Sequence, residues 1–107
     1  MAATNFLYDT RDIKFVLKEW LDLDKLLGFE AYRDFYSKDD VDTFVDLVYK
    51  ICRDQVAPAN EDCDKIGAQF IDGKVITPES VKVAYHTVCD AGVGPQFADR
   101  EVEGRFL

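Results

Sequence analysis

Apolar residues return every three or four positions in three stretches of this chain, and in one place that period stops. The first stretch carries Ile13, Val16, Leu17, Trp20 and Leu21 on one helical face, with Asp9 or Thr10 placed to cap it. Asp22 or Asp24 then restarts a short turn through Lys25, Leu26 and Leu27, which Gly28 ends. The stretch "FEAYRDFYS" that follows is rich in aromatics and has no period; it reads as a packed connector or a short helix. Phe15 and Leu23 stand off the first stripe. So much apolar surface on more than one face predicts a segment covered by something larger than this chain.

The longest stripe comes next. Ser37 with Asp40 has the form of a capping box, with aspartate in the place of the usual glutamate. Val41, Phe44, Val45, Val48, Ile51, Cys52 and Val56 follow on one face. Asp42, Asp46, Lys50, Arg53 and Asp54 occupy the other, with Asp46 and Lys50 spaced to pair. Pro58 should break this helix or open a separate turn through "ANEDCDKIG".

In "AQFIDGKVITP" the helical period is lost. Asp72-Gly73 is the dipeptide of a two-residue hairpin, flanked by Phe70-Ile71 and Val75-Ile76. Thr77-Pro78-Glu79 then supplies a cap, a proline at the first helical position and an acid in the first turn. Val81, Ala84, Tyr85, Val88 and Cys89 should form the buried stripe of that last helix, ended by Gly92. The tail "VGPQFADREVEGRFL" has neither period, and such an ending looks cut. The fold class is therefore all-α: a small bundle of three to four helices with one minimal β-hairpin. The stripes 41–56 and 81–89 should pack together, with Trp20 and Leu21 closing one side.

Composition narrows the function. One domain is the natural size for 107 residues, 48% of them hydrophobic and 13% aromatic. Thirteen basic against 21 acidic residues give a net charge of -8, which opposes nucleic acid and anionic membranes as partners. No apolar run is long enough to span a bilayer, and "MAATNFLYDTRD" lacks the pattern of a signal peptide, so the cytoplasm is the expected location. The cysteines are three, Cys52, Cys63 and Cys89, without a Cys-x-x-Cys pair. Cys52 and Cys89 fall on apolar faces, where buried thiols are the simpler reading.

Candidate chemistry is sparse. Aligning Asn60, Asp62 and Asp64 with the first ligands of a calcium loop puts Lys65 where a glycine must turn the chain and Ile71 where a bidentate glutamate is needed. His86 is the single histidine and has no visible acid or nucleophile partner. An acyl carrier would present Asp-Ser-Leu at a helix start, and the nearest match is Glu79-Ser80-Val81. No glycine-rich phosphate loop follows a strand. The residues propose no catalytic, cofactor-binding or metal-binding position.

Taken in order, these pieces resemble the amino-terminal helical domain of the acyl-CoA dehydrogenase family. The resemblance begins with "YDTRDIKFVLKEWLDLDKLL" and continues through "VDTFVDLVYKICRDQVAPANEDCDKIGA" and "DGKVITPESVKVAYHTVCDAG". It covers essentially residues 1–107 as one such domain, incomplete at its carboxy-terminal end. Family members commonly continue with Asp-Pro-Glu-Tyr-Gly-Gly-x-Gly-Leu-Pro. Here Asp99, Glu101, Gly104 and Leu107 fit, whereas Arg100, Val102, Glu103 and Phe106 depart from the pattern.

The resemblance implies a parent enzyme that uses FAD to oxidise the α–β bond of an acyl-CoA thioester. Its base and flavin-holding segments belong to other domains, so no catalytic or cofactor residue carries over to this chain and no FAD should bind it alone. The partners implied are the remainder of the parent subunit and its homo-oligomer. In isolation the chain should self-associate through Phe15, Leu23, Phe29, Tyr32, Phe35 and Tyr36. The alternative is a stand-alone acidic helical module for protein interaction, derived from the same domain.

Overall fold

The computed structural model describes residues 7–93, so the readings of the amino-terminal six residues and of the tail from Gly94 onward lie outside the described residues. The described residues are mostly helical, with one two-stranded antiparallel hairpin. They fall into two compact units, divided between Lys50 and Ile51. Among them no helix is long and apolar enough to cross a membrane.

In the first unit, α1 (Thr10–Phe15) continues directly into a π-helical turn, Val16–Trp20. Of the two candidate caps, Asp9 serves: its carboxylate accepts from the Arg11 N–H at 2.9 Å. The chain then reverses at Asp22, whose φ of 53° is left-handed. Aspartate is among the few non-glycine residues that tolerate this region. Asp22 also caps α2 (Leu23–Leu27), and Gly28 ends that helix with ordinary right-handed angles. The aromatic connector holds a single turn, α3 (Glu30–Arg33), the short-helix alternative.

Leu23 and Leu27 are the buried residues of α2, which corrects the expectation that Leu23 is left for an outside partner. A four-residue spacing puts both on the same side of the turn. Trp20 and Leu21 do the opposite. They are 74% and 63% exposed and close no core.

Helix α4 (Lys38–Ile51) starts at the anticipated capping box. The Ser37 N–H donates to Asp40 Oδ2 at 2.7 Å, and the Asp40 N–H donates to Ser37 Oγ at 3.2 Å. Val41, Phe44, Val45 and Val48 are half-buried and Ile51 is buried, so the stripe is the packed face. Its extension to Val56 fails, because that side chain is exposed.

Pro58 does not break the helix; it stands in the first turn of the stretch through 57–65, the second of the two alternatives, with no gap before it. Helical residues run without interruption from 38 to 65, through a π-helical turn (Cys52–Val56) into α5 (Ala57–Lys65). The Ala57 N–H bonds to the carbonyl of Cys52, five residues back. Proline lacks an N–H and its ring crowds the carbonyl four residues earlier. The wider turn just before Pro58 loosens that crowding, which is how a proline sits inside a continuous helix.

In the second unit, α6 (Glu79–Asp90) packs against the 52–65 stretch, not along the anticipated 41–56 stripe as a whole. Its buried residue is Ala84, and α5 contributes Ala59. Small side chains let helix backbones approach closely. Ser80 Oγ donates to Asp62 Oδ2 at 2.6 Å across the same contact. The inner face of α6 holds Val81, Ala84 and Val88 of the expected stripe, together with Ser80 and Thr87. Tyr85 and Cys89, expected inside, are exposed. Thr77 is not the cap; Pro78, with ψ of 141°, is the last extended residue before the helix.

Between α5 and α6 stands the hairpin, β1 (Gln69–Ile71) and β2 (Lys74–Ile76), with Phe70 opposite Val75. Asp72 and Gly73 both have positive φ, 51° and 75°, the requirement of the tight turn that suits strand twist. All six strand residues are exposed.

If close approach at Ala84 holds α6 in place, Ala84→Leu should overpack the contact and cost about 1–3 kcal/mol. Tyr85→Ala, one position away, should stay within about 0.5 kcal/mol. Urea denaturation midpoints of the two variants give the comparison.

Candidate functional site

The residues singled out for chemistry do not converge. Asn60, Asp62 and Asp64 lie on helix α5, so they follow a helical surface and do not wrap a loop around a cation. Asp62 accepts from Ser80, while Glu61 pairs with Lys65 one turn on. Among the described residues no three metal-ligating side chains group together. His86 is exposed, its ring edge-on to Tyr85 with centroids 5.5 Å apart. The three cysteines are free thiols. Cys52 is half-buried, but Cys63 and Cys89 are exposed, so the buried reading fails for Cys89. The rotation of α6 toward its small residues carries that side chain outward.

The organised polar contacts lie elsewhere, where helix 10–20 meets α4. Lys14 Nζ stands 2.8 Å from Asp46 Oδ1, and Lys18 Nζ stands 2.5 Å from Asp42 Oδ2. Lysines four residues apart face aspartates four residues apart, in antiparallel order. Tyr8 packs edge-on against Tyr49 at 5.2 Å and extends the same contact. Asp46 thus pairs across helices and not with Lys50 on its own helix.

These pairs shift the groups involved. The hydrogen bond from Lys18 holds the Asp42 carboxyl below its usual range, against a lesser opposing effect of desolvation. The Asp46 carboxylate bonded to Lys14 raises that ammonium above its usual value. Lys38, 2.6 Å from Asp24 within the same unit, is raised in the same way. Asp42 Oδ1 is closed off from solvent with no protein donor in reach, although its side chain as a whole is partly exposed.

Sequence reasoning missed this ladder because it searched helix 10–20 for its apolar face. A usable signal was there: two lysines at 14 and 18 and two aspartates at 42 and 46, each pair set one helical turn apart.

No family model matches the chain, and no solved structure matches it. Two curated proteins of Syntrophomonas wolfei subsp. wolfei, both named butyryl-CoA dehydrogenase, are 56% and 52% identical to it over 109 aligned residues. The alignments take in 99% of this chain. Along nearly its whole length the chain is similar to these two proteins. It spans 18% of the length of those relatives, so most of an acyl-CoA dehydrogenase of that size has no counterpart in it.

A titration prediction follows from the capping box. Hydrogen bonds from the Ser37 backbone and hydroxyl hold the Asp40 carboxyl below its usual value. A carboxyl lowered on folding stabilises fully above its unfolded value, and that contribution fades as pH falls through the folded value. In an NMR titration Asp40 should protonate below an ordinary aspartate, and Ser37→Ala should return it upward. An Asp40 that titrates identically in both proteins would mean that the box does not persist in solution.

Proposed function

We propose that this chain is the amino-terminal helical segment of an FAD-dependent acyl-CoA dehydrogenase that oxidises the α–β bond of an acyl-CoA thioester. The observation that carries this reading is the 56% identity along 99% of the chain to a protein named butyryl-CoA dehydrogenase. In such chemistry a carboxylate base removes the α proton and FAD supplies the hydride acceptor. The segment's own role is scaffolding: it adds a helical surface to a larger subunit and leaves the redox chemistry to the rest.

The described residues do not fit FAD itself. A pyrophosphate is held by free N–H groups at a helix start, commonly with a glycine-rich loop. Here Asp9, Asp22 and the Ser37–Asp40 pair already occupy the starts of α1, α2 and α4, and their carboxylates would repel a phosphate. Helix α6 is preceded by Pro78, which has no N–H to give. On this reading the flavin and the base belong to parts of the parent outside the described residues.

Large exposed apolar side chains support a covered position in the parent. Phe15, Trp20, Phe29 and Phe35 of the first unit are more than half exposed, as are Phe70 and Val75 of the hairpin. The remainder of the parent subunit and its homo-oligomer are the partners of this surface. The self-association patch is reduced from its original form, since Leu23 is buried and Tyr32 and Tyr36 are half-buried. Phe15, Phe29 and Phe35 remain.

Two measurements test this reading. Titration of the isolated chain into FAD should leave flavin fluorescence unchanged, whereas saturable quenching would place a cofactor site within it. The reading frame should also continue past Leu107 into a flavoprotein whose flavin absorbance bleaches on addition of an acyl-CoA. A stop codon there, or a flavin that no acyl-CoA reduces, would sink the enzymatic assignment.

Sedimentation velocity over a range of concentrations addresses the bare surface. The isolated chain should associate with rising concentration, and more readily at high salt, which screens the repulsion of its -8 charge. A monomer at every concentration and salt would show that Phe15, Phe29 and Phe35 make no self-complementary patch.

A further inference from the structure

We propose that residues 8–20 form a strap latched to α4 by charge, which lifts as a unit while α4 stays helical. Three independent observations carry this, all within residues 7–50.

The strap is held by little burial. Neither α1 nor the π-helical turn after it contains a buried residue. Ile13, Phe15 and Trp20 are all exposed, and only Val16 and Leu17 among its aliphatic side chains are half-buried. Lifting it therefore exposes little new apolar surface.

Its docking contacts on α4 are two ion pairs and a ring pair. Lys14–Asp46 and Lys18–Asp42 form the latch, with Tyr8 against Tyr49 beside it. Lys14 and Lys18 retain 29% and 33% exposure, so salt reaches both pairs. Asp42 Oδ1 has no donor in the closed position and is shut off from solvent. An unpaired buried acceptor is unfavourable, and lifting the strap rehydrates it.

The strap has a defined pivot. It ends where the Leu21 N–H bonds to Val16 O at 2.8 Å, and the next residue, Asp22, turns the chain in the left-handed region that aspartate tolerates. Asp22 is held from the other side by its bonds to the start of α2, so the strap can lift without unwinding that helix.

Opening is read by amide hydrogen exchange on the 107-residue chain, followed by mass spectrometry, at a concentration where it sediments as a monomer at every salt used. Two exposed ion pairs screened between about 0.02 M and about 1 M salt should lower protection of residues 12–21 by roughly two- to thirty-fold. Protection of 42–51 and 81–90 should change far less. The variant K14D/K18D should show the open level of exchange at low salt. Adding D42K/D46K restores opposite charges in reverse order and should recover closure.

Three results would overturn the proposal. Residues 12–21 exchange in step with α4, their protection is indifferent to salt, or the fourfold variant fails to recover what the double variant lost. Should K14D/K18D unfold altogether, loss of protection at 81–90 would reveal it, and the salt series on the unaltered chain would still decide.

Discussion

A helix must satisfy the backbone groups at its ends, and in these residues that constraint does much of what a core does elsewhere. Buried apolar side chains among the described residues are Leu23, Leu27, Ile51, Ala59 and Ala84, two of them alanines. With so little enclosed, helix starts and stops are set by side chains close in sequence. Asp9 serves α1, Asp22 serves α2 and the reciprocal Ser37–Asp40 bonds serve α4. Each cap satisfies N–H groups that would otherwise lose their partners. The positions of α1 and α4 then bring lysines opposite aspartates. Helices α5 and α6 have no side-chain cap and meet through Ala59 and Ala84 instead.

This explains what was legible in the sequence. Caps and turns depend on neighbours within three or four residues, so Ser37–Asp40 and Asp72-Gly73 could be recognised from local spelling alone. The all-helical class and the packed face of α4 were legible for the same reason, through periodicity. Inward-turned side chains at helix contacts were harder. Periodicity locates the most apolar face of an isolated helix, but the face that docks is chosen by its neighbour. On helix 10–20 the docking side includes Lys14 and Lys18, because α4 offers Asp46 and Asp42 there. On α6 Val81, Ala84 and Val88 turn inward as the period implies, with Ser80 and Thr87 beside them, while Tyr85 and Cys89 turn out.

The family resemblance was legible because it lies in strings of residues and needs no packing argument. "RDIKFVLKEWLDLD" joins a charge pattern to an apolar pattern, and the relatives named butyryl-CoA dehydrogenase match along nearly the whole chain. A chemical site was not legible for a physical reason: the carboxylates that meet other elements, such as Asp42, Asp46 and Asp62, are engaged by lysines or a serine, and Asp9, Asp22 and Asp40 by helix starts. Acids committed to local N–H groups and lysines hold their protons off at neutral pH and make poor general bases. The large exposed aromatic side chains are consistent with a piece whose surroundings form the greater part of the protein.

The π-helical turn before Pro58 limits how this chain can change in length. Residues 52–56 carry wider turns than the α-helix on either side, so the faces of 38–51 and 57–65 do not continue one another at the α-helical rotation. Deleting one residue from that stretch would restore the tighter winding. The wide turn takes up one residue more than an α-helical turn, so the deletion would leave the facing of 57–65 nearly as it was. Proline, however, would meet the carbonyl crowding that the wide turn relieves. One residue gained or lost after Lys65, in the turn leading to the hairpin, would rotate nothing in the helix. The extra residue between Ile51 and Ala59 thus supplies room for a ring that an evenly wound helix would lack.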